Sequence, residues 1–296
     1  PHLDQPHDGR ASGGDQRHTI VNLAVAHALR DFAGDVFRAA SHFINIVKPD
    51  GDQRVKQPAD IVEALELTIK RRRRQRLKKE QYRALRSLIL DQDVQWNVLF
   101  DLFQKNDVSL NDILMGEDFL HAVTDCYNLK YSQLVFSDFL WTMRSIYLPL
   151  FITFQMELPK ADLYHCVATG YAGVLGSMAK HIYGSRLLVS EHGIYTRERE
   201  EELIKAKWVN GIYKNIWIDQ FRKMSKLAYQ ESSLVTSLFE QARQLQIELG
   251  CPPEKIAVTP NGIRVENLQN ISGKLPEDED KINIGAVLRV TPIKDV

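Results

Sequence analysis

Apolar and polar positions alternate in two different rhythms along this chain, and the change falls near its middle. Residues 1–18 are polar, rich in Gly, Asp and His, and have almost nothing to bury, so they read as a disordered tail. From Ile20 to about Val47 the apolar positions Val21, Leu23, Ala24, Leu29, Phe32, Val36 and Phe37 recur at helical intervals. A polar segment follows, and Pro49, Asp50 and Gly51 mark a turn in it. Residues 61–91 then read as one long helix or two, with further helices at about 92–105, 108–127 and 133–154, and Asn111 as a candidate cap. This half shows no strand-like alternation and no repeat.

The second half breaks into short apolar runs, at 162–168, 186–189, 233–236, 255–258 and 282–288. Turn residues and helical stretches separate them. Strands of four to seven residues alternating with helices predict an α/β fold with a parallel sheet. Ligands bind such sheets at the carboxyl ends of the strands. Residues 274–281 are acidic, carry Pro276 and have little to bury, which reads as a linker between domains. The expected organisation is a tail at 1–18, a domain at 19–272, a linker at 273–281 and the start of a second domain at 282–296. The first residue is Pro1 and the last run stops at Val296, so both ends read as cut.

Charge and composition narrow this picture. The 296 residues hold 38 Lys plus Arg against 38 Asp plus Glu, so no net field favours nucleic acid. Cys126, Cys166 and Cys251 lie far apart, without the spacing of a zinc site or a disulfide framework. The longest apolar stretch, 140–154, is interrupted by Arg144 and is shorter than the roughly 20 residues that span a bilayer. It reads as a buried helix of a cytoplasmic protein. Eight basic residues crowd positions 70–79, from Lys70 through Arg71, Arg72, Arg73, Arg74, Arg76 and Lys78 to Lys79. Such a run is first a solvated helix face. The second reading is docking on an anionic membrane surface or an acidic partner. No aromatic residues interleave with the charges, which disfavours nucleic acid.

Three segments carry candidate chemistry. In Ser190-Glu191-His192-Gly193-Ile194-Tyr195-Thr196-Arg197-Glu198-Arg199-Glu200 a strand delivers an acid, a histidine and a glycine into a turn before a charged helix. His192 can donate a hydrogen bond to a substrate hydroxyl, and the helix start offers amides to an anion. The plain alternative is a capped helix start with solvated salt bridges. Thr259-Pro260-Asn261-Gly262-Ile263 is a turn at a strand end, which near a domain boundary also shapes a cleft. In 285–296 a strand ends in Arg289, and Lys294 follows across a proline turn. Two such cations can clamp a diphosphate, or simply end a strand in water.

Together these segments resemble the glycosyltransferase family typified by PelF, which acts in exopolysaccharide assembly. The likeness covers roughly residues 60–296. It includes Leu158-Pro159-Lys160-Ala161-Asp162-Leu163-Tyr164-His165, Thr169-Gly170-Tyr171-Ala172-Gly173 and the Glu-His-Gly-Ile-Tyr-Thr-Arg-Glu-Arg run at 191–199. Ser237-Leu238-Phe239-Glu240, Gln246-Ile247-Glu248-Leu249-Gly250, Pro260-Asn261-Gly262-Ile263 and the segment from Arg289 to Val296 complete it, and Phe136-Ser137-Asp138-Phe139-Leu140-Trp141 is also similar. The resemblance implies a GT-B architecture: a Rossmann-like amino-terminal domain with a helical insertion, then a second Rossmann-like domain of which only the first strand is present.

It further implies retaining hexosyl transfer from a UDP-sugar to a growing polysaccharide, with no metal and no cofactor beyond the donor. His192, Arg289 and Lys294 are the implied catalytic residues. Arg289 and Lys294, with Asn261 and Gly262, are expected at the donor, and Thr169, Gly170, Glu191, Gly193 and Tyr195 on the acceptor side. Implied partners are the UDP-sugar, the polysaccharide acceptor and a membrane-bound synthesis complex, placing the protein at the inner face of the membrane. The chain departs from the family in three ways. No first strand with a Gly-rich turn is recognisable, Gln241-Ala242-Arg243 stands where Gly-Asn-Arg is common, and the family's paired donor glutamates would lie beyond Val296. The chain as given is therefore expected to be an incomplete and inactive enzyme. The alternatives are a non-catalytic assembly subunit, or another retaining transferase of the starch- or sucrose-synthase type, against which the Glu-His-Gly-Ile-Tyr run argues.

Overall fold

The computed structural model describes residues 20–23, 76–105, 108–209 and 211–262, with short stretches at 264–265, 273–274, 276–280 and 282. It divides into two compact units, Pro1–Pro260 and Asn261–Val296. In the first, strands β1 (Ile20–Leu23), β2 (Leu163–Cys166), β3 (Arg186–Glu191), β4 (Leu234–Ser237) and β5 (Ile256–Val258) form one sheet. The strand order is β1-β2-β3-β4-β5 and every pair is parallel. The expected α/β class holds, with a mixed, Rossmann-like arrangement.

One expectation is overturned in this sheet. Residues 20–23 are a strand, paired Ile20 to Leu163 through Leu23 to Cys166, and not the start of a helix. β-branched Ile20 and Val21 suit a pleated surface, and the deciding partner lies far along the chain. The remainder of that expected helix lies outside the described residues, as do residues 70–75 of the basic run and all but Ile282 of the strand expected at 282–288. Within the run, Arg76 pairs with Glu117 at 2.8 Å, while Lys78 and Lys79 are exposed. The expected linker falls inside the second unit, where Pro276–Asp278 makes a single 3-10 turn.

The helical body precedes β2. It comprises α1 (Lys79–Leu90), α2 (Trp96–Gln104), α3 (Leu110–Leu114), α4 (Glu117–Cys126), a π-helical turn (Tyr127–Tyr131) and α5 (Phe136–Phe154). The helix expected over 108–127 is thus split at Gly116. Its cap is Ser109 and not Asn111, which lies inside α3. The Ser109 hydroxyl accepts from the Asp112 amide at 3.1 Å. α5 is buried on most sides, as its unbroken apolar run demands. Phe151 and Phe154 meet Phe103 and Phe100 at centroid distances between 4.9 and 5.4 Å. Arg144 is 6% exposed in this core. Its Nε donates to the Leu114 carbonyl at 3.0 Å and its guanidinium lies 4.8 Å from the Trp141 ring centre. Burial pulls its pKa down to about 10, so it stays charged at neutral pH. No helix among the described residues is long and apolar enough to cross a membrane.

The crossovers are α6 (Gly170–Tyr183), α7 (Tyr195–Lys205) with α8 (Ile212–Glu231), and α9 (Glu240–Glu248). Because the strands follow in sequence order and parallel crossovers are right-handed, these connections stack on one face. Burial agrees: Tyr164, Cys166, Leu187, Val189 and Val235 point into that layer, while Leu163, His165, Leu188, Ser190 and Thr236 are half-buried on the other face. That second face carries a polar row, in which Thr236 donates to Ser190 Oγ at 2.8 Å and Ser190 Oγ sits 2.9 Å from His165 Nε2.

α6 and α8 approach so closely at Gly173 that a Cβ there would sit 2.4 Å from the Cβ of Ala228. Gly173→Ala is therefore expected to cost about 1–3 kcal/mol through overpacking. In thermal unfolding this should lower the midpoint by about 2–12 °C. An unchanged midpoint would show that the two helices separate freely at this point.

Candidate functional site

Because all five strands run the same way, the loops at their carboxyl ends gather on one edge of the sheet. Register fixes the alignment: Glu191 stands opposite Ser237, and Ser237 opposite Val258. The edge thus carries Val167 to Thr169 after β2, Glu191 to Ile194 after β3, Leu238 and Phe239 after β4, and Thr259 after β5. The Thr259 amide donates to the Ser237 carbonyl at 2.7 Å, tying the last two loops together.

The centre of this edge is Glu191, the last residue of β3. Its side chain points into the helix layer and is 3% exposed. One carboxylate oxygen accepts from Thr169 Oγ1 at 3.1 Å and from the Tyr195 amide at 3.2 Å. The other accepts from the Tyr229 hydroxyl at 2.5 Å and from Gln246 Nε2 at 3.1 Å. Those donors come from the β2–α6 loop, the start of α7, α8 and α9. Thr169 Oγ1 also lies 2.8 Å from Ser225 Oγ, which receives the Thr196 hydroxyl at the same distance. One carboxylate thereby fixes the ends of four elements.

Burial pushes the Glu191 carboxyl above the ordinary glutamate range, and the four donors only partly oppose that shift. Burial, and then the neighbouring Glu191, push the Tyr229 hydroxyl up as well.

The expected site residues separate into distinct groups. Thr169 and Glu191, expected to line an acceptor cleft, are buried and hold the loops from inside. Gly170 has φ +67°, and a Cβ on it would lie 2.5 Å from the Tyr195 ring, so only glycine fits that turn. The Tyr195 ring packs edge-on to Phe221, with Arg199 over it at 5.6 Å. Gly193 is exposed beside the folded-back carboxylate of Glu198.

His192 is exposed and makes no hydrogen bond among the described residues, which rules out a histidine satisfied in the core. Its imidazole is free to exchange a hydrogen bond with a ligand hydroxyl. Asn261 and Gly262 are exposed residues of the second unit. Arg289 and Lys294 lie outside the described residues. Among the described residues, no three His, Cys, Asp or Glu side chains are placed to hold a metal ion.

Sequence reasoning missed Ser225, Tyr229 and Gln246. Ser225 and Tyr229 lie four apart on one face of α8 and Gln246 sits among the apolar positions of α9, so their pattern reads as ordinary helix. The only local hint is that three polar side chains fall on buried stripes.

Linkage gives a test of this network. An acid whose folded-state pKa is raised gives stability that is fully present below its unfolded value and is lost as pH rises through the folded value. Relative to Glu191→Gln, which cannot ionise, the parent protein should lose stability as pH climbs above the ordinary glutamate value of 4.5. Glu191→Ala, which leaves buried donors unsatisfied, should cost about 3 kcal/mol at pH 4 and less as pH rises, because the parent loses stability while the variant does not. Urea titrations between pH 4 and pH 8 measure both. A parent-to-Gln difference that is flat with pH, or that grows in the parent's favour, would contradict the assignment.

No curated protein and no solved structure matches this chain. Residues 46–254, which contain the helical body, β2 to β4 and the Glu191 network, match a family described as a domain of unknown function, DUF3492. The chain belongs to the DUF3492 domain family.

Proposed function

We propose that this chain contributes the acceptor side of a PelF-type retaining glycosyltransferase of GT-B architecture, moving a hexosyl group from a UDP-sugar to a growing exopolysaccharide. The observation that carries the reading is the exposed His192, held at the carboxyl edge of a parallel sheet by the buried residue just before it. The family supports it, since DUF3492 is commonly found in GT-B glycosyltransferase-like proteins. In this scheme His192 hydrogen-bonds the transferred sugar, while Glu191 is a positioning residue and touches no substrate. The bond from the anomeric carbon to the diphosphate oxygen breaks as the acceptor oxygen bonds to that carbon, and the acceptor proton passes to the leaving diphosphate. Arg289 and Lys294 stabilise the charge that develops on it. Association with a membrane-bound synthesis complex, at the cytoplasmic face, belongs to the same proposal.

The assay is UDP release from UDP-hexoses and UDP-N-acetylhexosamines, in a chain carrying both halves of the cleft. His192→Ala should reduce turnover at least tenfold, about 1.4 kcal/mol of transition-state stabilisation. Its thermal midpoint should not move, because the side chain buries nothing. Equal turnover in mutant and parent would remove the role of His192. No UDP release from any donor would favour a non-catalytic assembly subunit.

A further inference from the structure

A second concavity lies away from the loops just described. It is a groove of about 840 Å³ between α8, α9 and the turn joining α1 to α2. That volume is in the range of ligand sites. Along α8 its lining runs from Asp219 to Gln230, a length of about 16 Å at the helical rise of 1.5 Å per residue. Gln230 and Leu249 lie near the helix ends that lead into the amino edge of the sheet, whereas Arg197 lies at the start of α7 near the carboxyl edge. The groove therefore suits an extended ligand.

Charge narrows the ligand's chemistry. Four basic and five acidic side chains line the groove. Arg222 reaches Glu200 at 3.3 Å and Asp219 at 3.7 Å, and Lys223 reaches Asp91 at 3.6 Å, so most of the charge is neutralised within the wall. A polyanion or a polycation would meet about as many like charges as opposite ones. What remains is a dense mixture of donors and acceptors. Asp93, Lys226 and Glu248 form no ion pair among the described residues, and the half-buried Trp96 supplies an aromatic surface.

The groove adjoins a small inner chamber of about 50 Å³, and Asp91, Asp219 and Lys223 line both. Gln220 lines that chamber at 2% exposure, and neither its Nε2 nor its Oε1 has a hydrogen-bond partner. A buried amide left unsatisfied costs about 1–3 kcal/mol. A donor and an acceptor side by side are the complement of a hydroxyl group, which is both. The chamber is large enough for one or two water molecules or a hydroxymethyl group of about that size.

We infer that this groove is a binding site for a neutral, polyhydroxylated chain, an oligosaccharide, with one hydroxyl seated against Gln220. The groove and its chemistry stand on their own. That the occupant is the growing polymer rests on the transferase reading.

Calorimetry with cellohexaose, maltohexaose and N-acetylated chitohexaose as probes tests the site directly on this chain. At least one should bind saturably. Gln220→Leu and Lys226→Ala should each weaken that binding at least tenfold without lowering the thermal midpoint, since one removes an unsatisfied amide and the other an exposed side chain. Binding by none of the three at millimolar concentration would leave the chamber to water and overturn the inference. So would unchanged affinity in both variants, or displacement of the saccharide by inorganic pyrophosphate. Saccharide binding here, with no UDP release from a chain carrying both halves of the cleft, would keep the groove and sink the transferase reading, and UDP release by that chain without saccharide binding would do the reverse.

Discussion

A carboxylate can be taken out of water only where the surroundings replace its hydration, and Glu191 shows how much of this molecule is arranged to do so. Four donors from four elements converge on two oxygens. To supply them, α8 must present Tyr229 inward, α9 must turn Gln246 toward the sheet, and the loop after β2 must carry Thr169 into α6 through the positive-φ Gly170. The demand propagates outward. Gly170 leaves room for the Tyr195 ring, Tyr195 seats α7 against Phe221 of α8, and Gly173 lets α6 lie directly on α8. The same arrangement leaves the next residue, His192, facing solvent at the sheet's carboxyl edge.

The helical body provides the mass against which this layer is braced. Its aromatic core is continuous with the buried faces of α6 and α8, so the crossover helices are packed on the sheet side and on the outer side alike. Two buried cations in and beside that body find backbone partners. Arg144 uses the Leu114 carbonyl, and Lys223 uses the Leu88 carbonyl at 2.7 Å. Gln220 on α8 has no partner at either amide atom, and it is the residue that looks into the chamber behind the mixed-charge groove.

Much of the α/β half was legible in the sequence. β2 to β5 are short apolar runs bounded by turn residues, so local pattern alone places them within about two residues. β1 was not legible, because Ile20 to Leu23 is followed by Ala24 and Leu29 at helical spacing, and the partner that makes it a strand is Leu163 to Cys166. The helical body was readable in outline, but its breaks depend on capping details such as Ser109. At the candidate site, the Glu-His-Gly run marks the loop on which the Glu191 hydrogen bonds are built. It did not reveal that Glu191 faces inward and His192 outward, since three of the four donors that draw Glu191 inside lie 22, 38 and 55 residues away in the chain.

The central claim is that the Glu191 carboxylate organises this edge, and amide hydrogen exchange in the loop tests it most directly. The Tyr195 amide is bonded to Glu191 itself, whereas Val189 lies inside the central strand. In Glu191→Ala, exchange at Tyr195 should accelerate at least tenfold more than at Val189, reflecting local opening of the loop. Equal acceleration at both positions, or none at Tyr195, would show that the loop is held by something other than that carboxylate.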